Sequence, residues 1–441
     1  MHENRTTDET KTERSILARL AMPDGAPGGD PLDELHGLAT TAGTEPVARV
    51  IQRRTTPDQK TYFGKGKVSE LRELCEQFDV DVVIFDNNLS PGQTRNLEQA
   101  IKVKVIDRTE LILDIFAAGA RTHEARLAVE LAQLEYSLPR LKRMWTHLSR
   151  QKMGVGMRGP GEKQLEVDRR LASKRIRDLK DELSKIEDRR QRQVAARDAN
   201  PTVSLVGYTN AGKSSLMNAL TDAAVVAQDK LFATLDTRTR RWDLPGWGVV
   251  LLSDTVGFIR DLPHGLVASF RSTLEETRQA DLLMHVVDAS NPDALHQIAA
   301  VYDVLEEMGI QEKDTLLVLN KIDSVANENV IARIQDRYAD AIPVSAHSGQ
   351  GLTQLKEAVG LALSREFLDL EVTVDPSDGA LLAHLAASGE ILSQHYYETE
   401  IVVHVRLPRS AMGKVRQSAV ECRPAENRSS VAATGTDIET S

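Results

Sequence analysis

Only two cysteines, Cys75 and Cys422, occur in 441 residues, far apart in the chain. That excludes a disulfide framework and a cysteine zinc site, and it fits a reducing cytosol. No apolar run approaches the length of a membrane span, and Met1 to Arg14 lacks the apolar centre of a secretory signal. A cytoplasmic protein with no transmembrane segment is expected, with peripheral membrane contact left open. Positive charge is also short overall, 55 Lys and Arg against 65 Asp and Glu, a net −10 that argues against generic nucleic-acid binding. The deficit is uneven. Residues 140–197 carry eighteen Lys and Arg against eight Asp and Glu, so the remainder stands at −20. A basic segment on an acidic body points to a polyanionic partner.

What is present is a series of polar loops, each closing an apolar run. Gly207-Tyr208-Thr209-Asn210-Ala211-Gly212-Lys213-Ser214 follows Val203 to Val206 and opens a helical pattern, the strand-loop-helix context of a phosphate loop. Glycine lets the backbone approach phosphates, Lys213 supplies a point charge near the β and γ phosphates, and Ser214 is a candidate magnesium ligand. A mere glycine-rich turn before a helix is the bland alternative. Asn320-Lys321-Ile322-Asp323 closes Thr315 to Leu319. A carboxylate such as Asp323 accepts both N–H donors on the Watson–Crick edge of guanine, which adenine does not offer; Asn320 reaches the other edge and Lys321 lies along the ring. GTP is therefore expected over ATP.

Three further pieces fall in the order a GTPase needs. Asp254-Thr255-Val256-Gly257 ends the run Val249 to Leu252, where Asp254 holds magnesium through water and Gly257 offers its N–H to the γ phosphate. Thr234, within Phe232-Ala233-Thr234-Leu235-Asp236, is the candidate second protein ligand of magnesium. Ser345-Ala346-His347 closes Ala341 to Val344 and presents a backbone N–H to the guanine carbonyl. One expected residue is missing. Small GTPases usually place Gln after Asp-x-x-Gly to orient the attacking water, and here Phe258 stands there. A phenyl ring cannot hydrogen-bond water into line, so slow intrinsic hydrolysis completed by a partner is expected; the alternative is that Phe258 packs in the core and another residue positions water.

Strands alternating with helices predict an α/β protein: a P-loop GTPase domain (199–364) plus an N-terminal parallel α/β domain (45–122), an antiparallel helical hairpin linker (123–198) and a small C-terminal α+β domain (365–417). Polar tails at 1–44 and 418–441 are expected to be disordered. In the last domain, strands are read at Glu371 to Val374 and Thr399 to Arg406, flanking a helix at Leu381 to Leu392. Leu127, Leu131, Leu134, Leu138, Leu141, Trp145 and Leu148 step by four and three, as do Ala172, Ile176, Leu179, Leu183 and Ile186. That spacing predicts a coiled-coil seam, kinked at Pro139, with the glycine-rich run Gln151 to Gly161 at its tip. The tip has Arg158 and Lys163 but no aromatic stacking residue, which favours shape and backbone recognition of structured RNA, not DNA. The seam satisfies itself, so a monomer is expected. Phe63-Gly64-Lys65-Gly66-Lys67 hints at a second phosphate cradle, the basis of an alternative ATP-driven RNA remodelling reading.

With these residues in view the chain resembles the HflX family of ribosome-associated GTPases, over roughly Val47 to Pro408. The resemblance rests on Tyr62 to Lys67, Leu89-Ser90-Pro91-Gly92-Gln93-Thr94-Arg95-Asn96-Leu97-Glu98, Val105 to Glu110, Trp145-Thr146-His147-Leu148 and Gly156-Met157-Arg158-Gly159-Pro160-Gly161-Glu162. It implies a cytoplasmic GTPase that binds the large ribosomal subunit and its rRNA when loaded with GTP, splits stalled or idle ribosomes under stress, and is stimulated by them. Large-subunit assembly is the alternative. By the family pattern Gly207 to Ser214, Phe232 to Asp236, Asp254 to Gly257, Asn320 to Asp323 and Ser345 to His347 contact GTP, with Ser214 and Thr234 on Mg2+ and with Lys213, Thr234 and Gly257 catalytic. The family usually has Pro after the Asp of Phe-Ala-Thr-Leu-Asp, and here Thr237 leaves that segment less stiff.

Overall fold

A computed structural model describes residues 12–22, 30–144, 160–195, 200–221, 231–232, 237–245, 247–260, 277–307, 309–310, 314–325 and 329–425. The N-terminal unit runs β1 (Arg14–Ala21), α1 (Asp33–Thr41), β2 (Glu45–Arg53), α2 (Lys65–Phe78), β3 (Val82–Phe85), α3 (Pro91–Ile101), β4 (Lys104–Asp107) and α4 (Arg108–Gly119). Its sheet is parallel, in the order β2-β1-β3-β4. A parallel sheet buries both faces, so its strands alternate between two cores and not between core and water. Ile16, Ala18 and Leu20 of β1 face one core while Leu17 faces the other.

Over residues 12–22 and 30–44 this corrects the disordered tail expected at 1–44; 1–11 and 23–29 lie outside the described residues. β1 is an inner strand, and Leu35 and Leu38 of α1 are fully buried. The apolar run in β1 is short, interrupted by Arg19, and set among polar residues, so average composition hides it. Arg19 belongs there because Asp86 and the Pro31 carbonyl receive its guanidinium, at 2.8 and 2.7 Å.

Two long helices follow, α5 (His123–Met144) and α6 (Pro160–Ala195). They pair along the expected seam: Leu127, Leu131 and Leu179 are buried, with Leu134, Ile176, Leu183 and Ile186 against them. Ion pairs cross it from Arg175 to Glu130 and from Lys180 to Glu135, at 2.7 and 2.8 Å. α5 continues as helix through Pro139. The rest of the expected seam at Trp145 and Leu148, and the tip as far as Gly159, lie outside the described residues.

The hairpin is bolted to the carboxyl end of β4. Asp107, almost fully buried, receives the Tyr136 hydroxyl, the Arg140 guanidinium at 2.7 Å and the Leu89 N–H at 3.1 Å, and caps α4 through the Glu110 N–H. Arg140 also stacks on the Tyr136 ring at 3.5 Å. Beside this joint, burial and the nearby Asp107 and Asp114 raise the Glu110 carboxyl from 4.5 to about 7, against the pull of Lys104 and Arg140. The folded chain thus holds a proton that the unfolded chain releases, and stability falls as pH rises from about 4.5 through 7. Glu110→Gln is expected to flatten that dependence and to raise the melting temperature more at pH 8 than at pH 5. Equal shifts at the two pH values would refute it.

The GTPase unit comprises β5 (Thr202–Val206), α7 (Lys213–Thr221), β6 (Arg238–Leu244), β7 (Gly248–Asp254), β8 (Leu282–Asp288), α8 (Ala294–Glu307), β9 (Thr315–Asn320), α9 (Asn329–Gln335), β10 (Ile342–Pro343) and α10 (Leu352–Glu366). The sheet order is β10-β9-β8-β5-β7-β6, parallel except for β6, which runs antiparallel to β7 at the edge. Its core is continuous with that of the N-terminal unit. Leu35, Leu111 and Phe116 share one buried cluster with Tyr208, Phe232 and Phe258.

The chain ends in β11 (Phe367–Val374), α11 (Gly379–Ser388), β12 (Glu390–Tyr396), β13 (Ile401–Pro408), α12 (Met412–Ser418) and β14 (Glu421–Pro424). They build an antiparallel sheet in the order β12-β13-β11-β14. Two expectations are corrected. The helix stops at Ser388, before Gly389, and residues to Leu392 turn into β12. Glu421–Pro424, placed in the disordered tail at 418–441, is instead a strand on β11, where Cys422 pairs with Val372. A four-residue polar edge strand has no hydrophobic period to reveal it.

Candidate functional site

Loops from β5, β7, β9 and β10 meet at the carboxyl edge of the central sheet, where open α/β sheets take ligands. After β5 the chain turns through Gly207 (φ +148°) and Gly212 (φ +88°). Neither position has room for a side chain: a Cβ would fall 2.1 Å from the Val286 carbonyl oxygen at the first and 2.3 Å from Asn320 Nδ2 at the second. Asn210, at φ 60°, takes the left-handed region that Asn tolerates. The turn leaves Lys213 at the start of α7, folded back to donate to the carbonyls of Gly207 and Tyr208 at 3.0 and 2.9 Å. Burial pushes its ammonium down to about 8, opposed by Asp254. A polyphosphate would supply the negative charge this buried cation lacks.

Ser214 Oγ donates to Asp254 Oδ2 at 2.5 Å, joining the ends of two separate motifs. The donor set fits Mg2+. It is all oxygen, one hydroxyl with one carboxylate behind it, and this ion usually completes its shell with waters and substrate phosphates. Thr234, the other expected ligand, lies outside the described residues with Ala233, Leu235 and Asp236.

Beyond Asp254, Thr255 is buried and donates to the Leu205 carbonyl at 2.7 Å, and Val256 enters the shared core. A Cβ on Gly257 would fall 2.8 Å from Thr209 Cα and 3.1 Å from Lys213 Nζ, so the glycine backbone lies directly against the phosphate loop. Phe258 pairs with that loop: its N–H donates to the Gly207 carbonyl at 3.0 Å, and its carbonyl receives the Thr209 N–H at 2.7 Å. Its side chain is 3% exposed and packs in the core, which meets the packing half of the second reading and leaves no hydrogen-bonding side chain at this position. Phe232 closes the other side, donating its N–H to Thr209 Oγ1 at 2.9 Å and tilting against Phe116 at 4.6 Å.

At the base-reading end Asn320 is 1% exposed and engaged at both polar atoms. Its Nδ2 donates to the Ala211 carbonyl at 3.0 Å, and its Oδ1 receives the Ala346 N–H at 3.0 Å. It therefore stitches phosphate loop to base loop, a positioning part the sequence did not show. Lys321, at φ 62°, pairs with Asp288 at 2.8 Å, and the Ile322 N–H reaches the Val344 carbonyl. Asp323 is exposed, and its carboxyl is held below the ordinary value first by the Ser345 hydroxyl, bonded at 2.5 Å. Exposed His347 adds a smaller pull in the same direction. An ionised carboxylate aimed outward beside the phosphate loop can accept two N–H donors of a base.

Sequence reasoning missed a third layer. The Tyr208 hydroxyl donates to Glu34 Oε2 and accepts the Arg260 N–H, both at 2.7 Å. Arg108, 1% exposed, donates to Asp86 at 2.7 Å, to Glu34, and to the Arg260 carbonyl at 3.1 Å, while Arg260 reaches Asp86 at 3.3 Å. The phosphate loop and the segment after Gly257 are thus tied by hydrogen bonds to the N-terminal unit, through α1, α4 and the end of β3. The lone Gly64-Lys65-Gly66 cradle is differently occupied. Gln52 takes the Gly64 N–H at 3.0 Å, and Glu70 pairs with Lys67 at 2.8 Å.

Comparison with known proteins matches residues 29–117 to the family described as GTP-binding GTPase N-terminal, 119–197 to GTP-binding GTPase Middle Region, and 202–321 to 50S ribosome-binding GTPase. The chain is similar to GTPase HflX of Magnetococcus marinus, 47% identical over 87% of this chain and 90% of that one. It is likewise similar to GTPase HflX of Escherichia coli, 46% identical over 90% and 94%. Among solved structures it is similar to a GTP-binding protein from Sulfolobus solfataricus in complex with GDP, 24% identical, TM-score 0.42, covering 80% of this chain and 99% of that one.

Proposed function

This chain belongs to the GTPase HflX family and is a GTP hydrolase, and from that premise we propose that it is a cytoplasmic factor that binds the large ribosomal subunit in its GTP state and separates stalled or idle ribosomes. The observation that carries the partner is the charge of the hairpin: residues 140–197 hold eighteen Lys and Arg against eight Asp and Glu in an otherwise acidic chain. α6 alone spans 36 residues, about 54 Å of helix at roughly 1.5 Å per residue. That is long enough to reach rRNA well away from the nucleotide.

Within the site, Gly207 to Ser214 wrap the phosphates, with Lys213 against the β and γ groups and the Gly257 N–H on the γ phosphate. Ser214 and Thr234 would hold magnesium, with Asp254, bonded to Ser214, as the carboxylate behind it. Magnesium when bound neutralises charge on the transferring phosphoryl group. Asp323 reads guanine, Asn320 fixes the loop that carries Ala346, and Lys321 lies along the ring. Phe258 brings no hydrogen bond to the attacking water, which supports a ribosome-stimulated reaction over a fast intrinsic one. GTP then holds the segments around Thr234 and Gly257, and hydrolysis releases them.

Sedimentation of ribosomes with the protein and a non-hydrolysable GTP analogue tests the proposal. The ratio of free subunits to whole ribosomes is expected to rise, and to stay at its starting value with GDP. An unchanged ratio with the analogue would defeat the splitting role, and precursor particles co-sedimenting in place of mature subunits would point to assembly.

A further inference from the structure

The β6–β7 hairpin has one end in the nucleotide site and the other in the C-terminal unit. At its base Arg238 pairs with Asp254, the residue bonded to Ser214, and at its tip Leu244 pairs with Gly248. Among the described residues β6 pairs only with β7 and forms the sheet edge, while β7 also pairs with β5 from Leu251 to Asp254, so the hairpin runs about 20 Å, at roughly 3.3 Å per residue, from the sheet interior to its tip. Its register is fixed by its faces: Trp242, Leu244, Val250 and Leu252 are buried in one core cluster. A slip of one residue would expose them all. The same two strands thus connect the tip to the Arg238–Asp254 pair, where β7 is also held by β5.

The tip packs Leu244 and Trp247 into the core and, among the described residues, meets one buried cation. Arg406, from the inner strand β13 of the C-terminal sheet, is 6% exposed. It lies over the Trp247 ring at 4.2 Å, donates to the Trp247 carbonyl, and pairs with Asp369 at 3.0 Å and Glu390 at 3.6 Å. Trp247 in turn meets Phe367, the first residue of β11, edge-on at 6.2 Å. The neighbouring glycine serves the same contact. A Cβ on Gly248, at φ +116°, would lie 3.4 Å from Arg406 Nη1. Burying a guanidinium is costly unless its partners are fixed, so this contact specifies one placement of the tip more than it adds stability.

We infer that Arg406 is a positioning residue for GTP hydrolysis, acting through the β6–β7 hairpin on Asp254. The inference rests on the nucleotide site proposed above. With the tip clasped, Asp254 is presented to Ser214 and magnesium from a fixed strand; with it released, the strand's end gains freedom at the point where small misplacements are expensive.

The test uses the full chain, with release of a fluorescent GDP analogue and single-turnover GTP hydrolysis as readouts. Arg406→Met is expected to speed release and slow hydrolysis by about threefold to tenfold, the range of remote coupling effects. Arg406→Lys, which keeps a donor for the Trp247 carbonyl, is expected to restore much of the loss. Leu385→Ala, a fully buried residue of the C-terminal core away from the clasp, is expected to lower the melting temperature with wild-type kinetics. Wild-type release and hydrolysis in Arg406→Met would overturn the inference, as would the same kinetic defect in Leu385→Ala. Should Arg406→Met not fold, Asp369→Asn loosens the same guanidinium more gently and is read identically. Failure of the underlying site reading looks different: Asp254→Asn would keep the wild-type magnesium dependence.

Discussion

Asp323→Asn should lower GTP affinity by on the order of 10⁴-fold while creating a preference for XTP, because the site is built to accept hydrogen bonds and rejects a base that no longer matches it. The carboxylate offers two acceptors to the two N–H donors of guanine. In the amide one acceptor becomes a donor, which opposes a guanine N–H but meets the 2-oxo group of xanthine. The fold should tolerate the change. Asp323 is exposed, its Ser345 hydroxyl partner at 2.5 Å can turn to an amide oxygen, and Asn320 continues to hold Ala346. Hydrolysis of saturating XTP at near the wild-type GTP rate would place the defect in base recognition alone. Unaltered GTP affinity would mean that the base is read elsewhere.

The site was legible to the degree that chemistry forces residue type. Gly207 and Gly212 stand where any Cβ meets backbone or Asn320, Lys213 opens α7 past the turn that closes β5, and Asp254 ends the apolar run that became β7. The seam from Leu127 to Leu134 against Ile176 to Ile186 was visible for the same reason, a period that only a helix pair satisfies. Elements held by long-range partners were not. β1 owes its place to β2 and β3 on either side and to an arginine neutralised by Asp86, 67 residues away. β14 is recruited by an already formed sheet edge. Phe258 shows the limit most plainly. From sequence it could be named as the absence of glutamine and as a candidate core residue, whereas the fold shows which core: one shared with Leu111 and Phe116 of another unit. No local pattern encodes that neighbour.

That shared boundary is where the largest loss of stability is expected. Arg108→Met should destabilise the protein by about 3 kcal/mol, the lower range for removing one partner from a buried charge cluster. The guanidinium is 1% exposed, and it serves Asp86, Glu34 and the Arg260 carbonyl together. Methionine fills much of the volume, so the cavity term is small and the loss is chiefly electrostatic. Asp86 keeps Arg19 at 2.8 Å and Arg260 at 3.3 Å, which holds the cost below the upper range. Glu34 and the Arg260 carbonyl lose more, and Glu34 is linked to the phosphate loop by the Tyr208 hydroxyl, which in turn accepts the Arg260 N–H. Denaturant unfolding followed by tryptophan emission reports the change, since Trp242 and Trp247 are buried in the GTPase core. A midpoint equal to wild type would show that Glu34 and Asp86 find other partners. A loss confined to an early transition that leaves the tryptophan signal intact would show instead that the N-terminal unit unfolds alone, and that the continuous core from Leu35 to Phe258 is not cooperative.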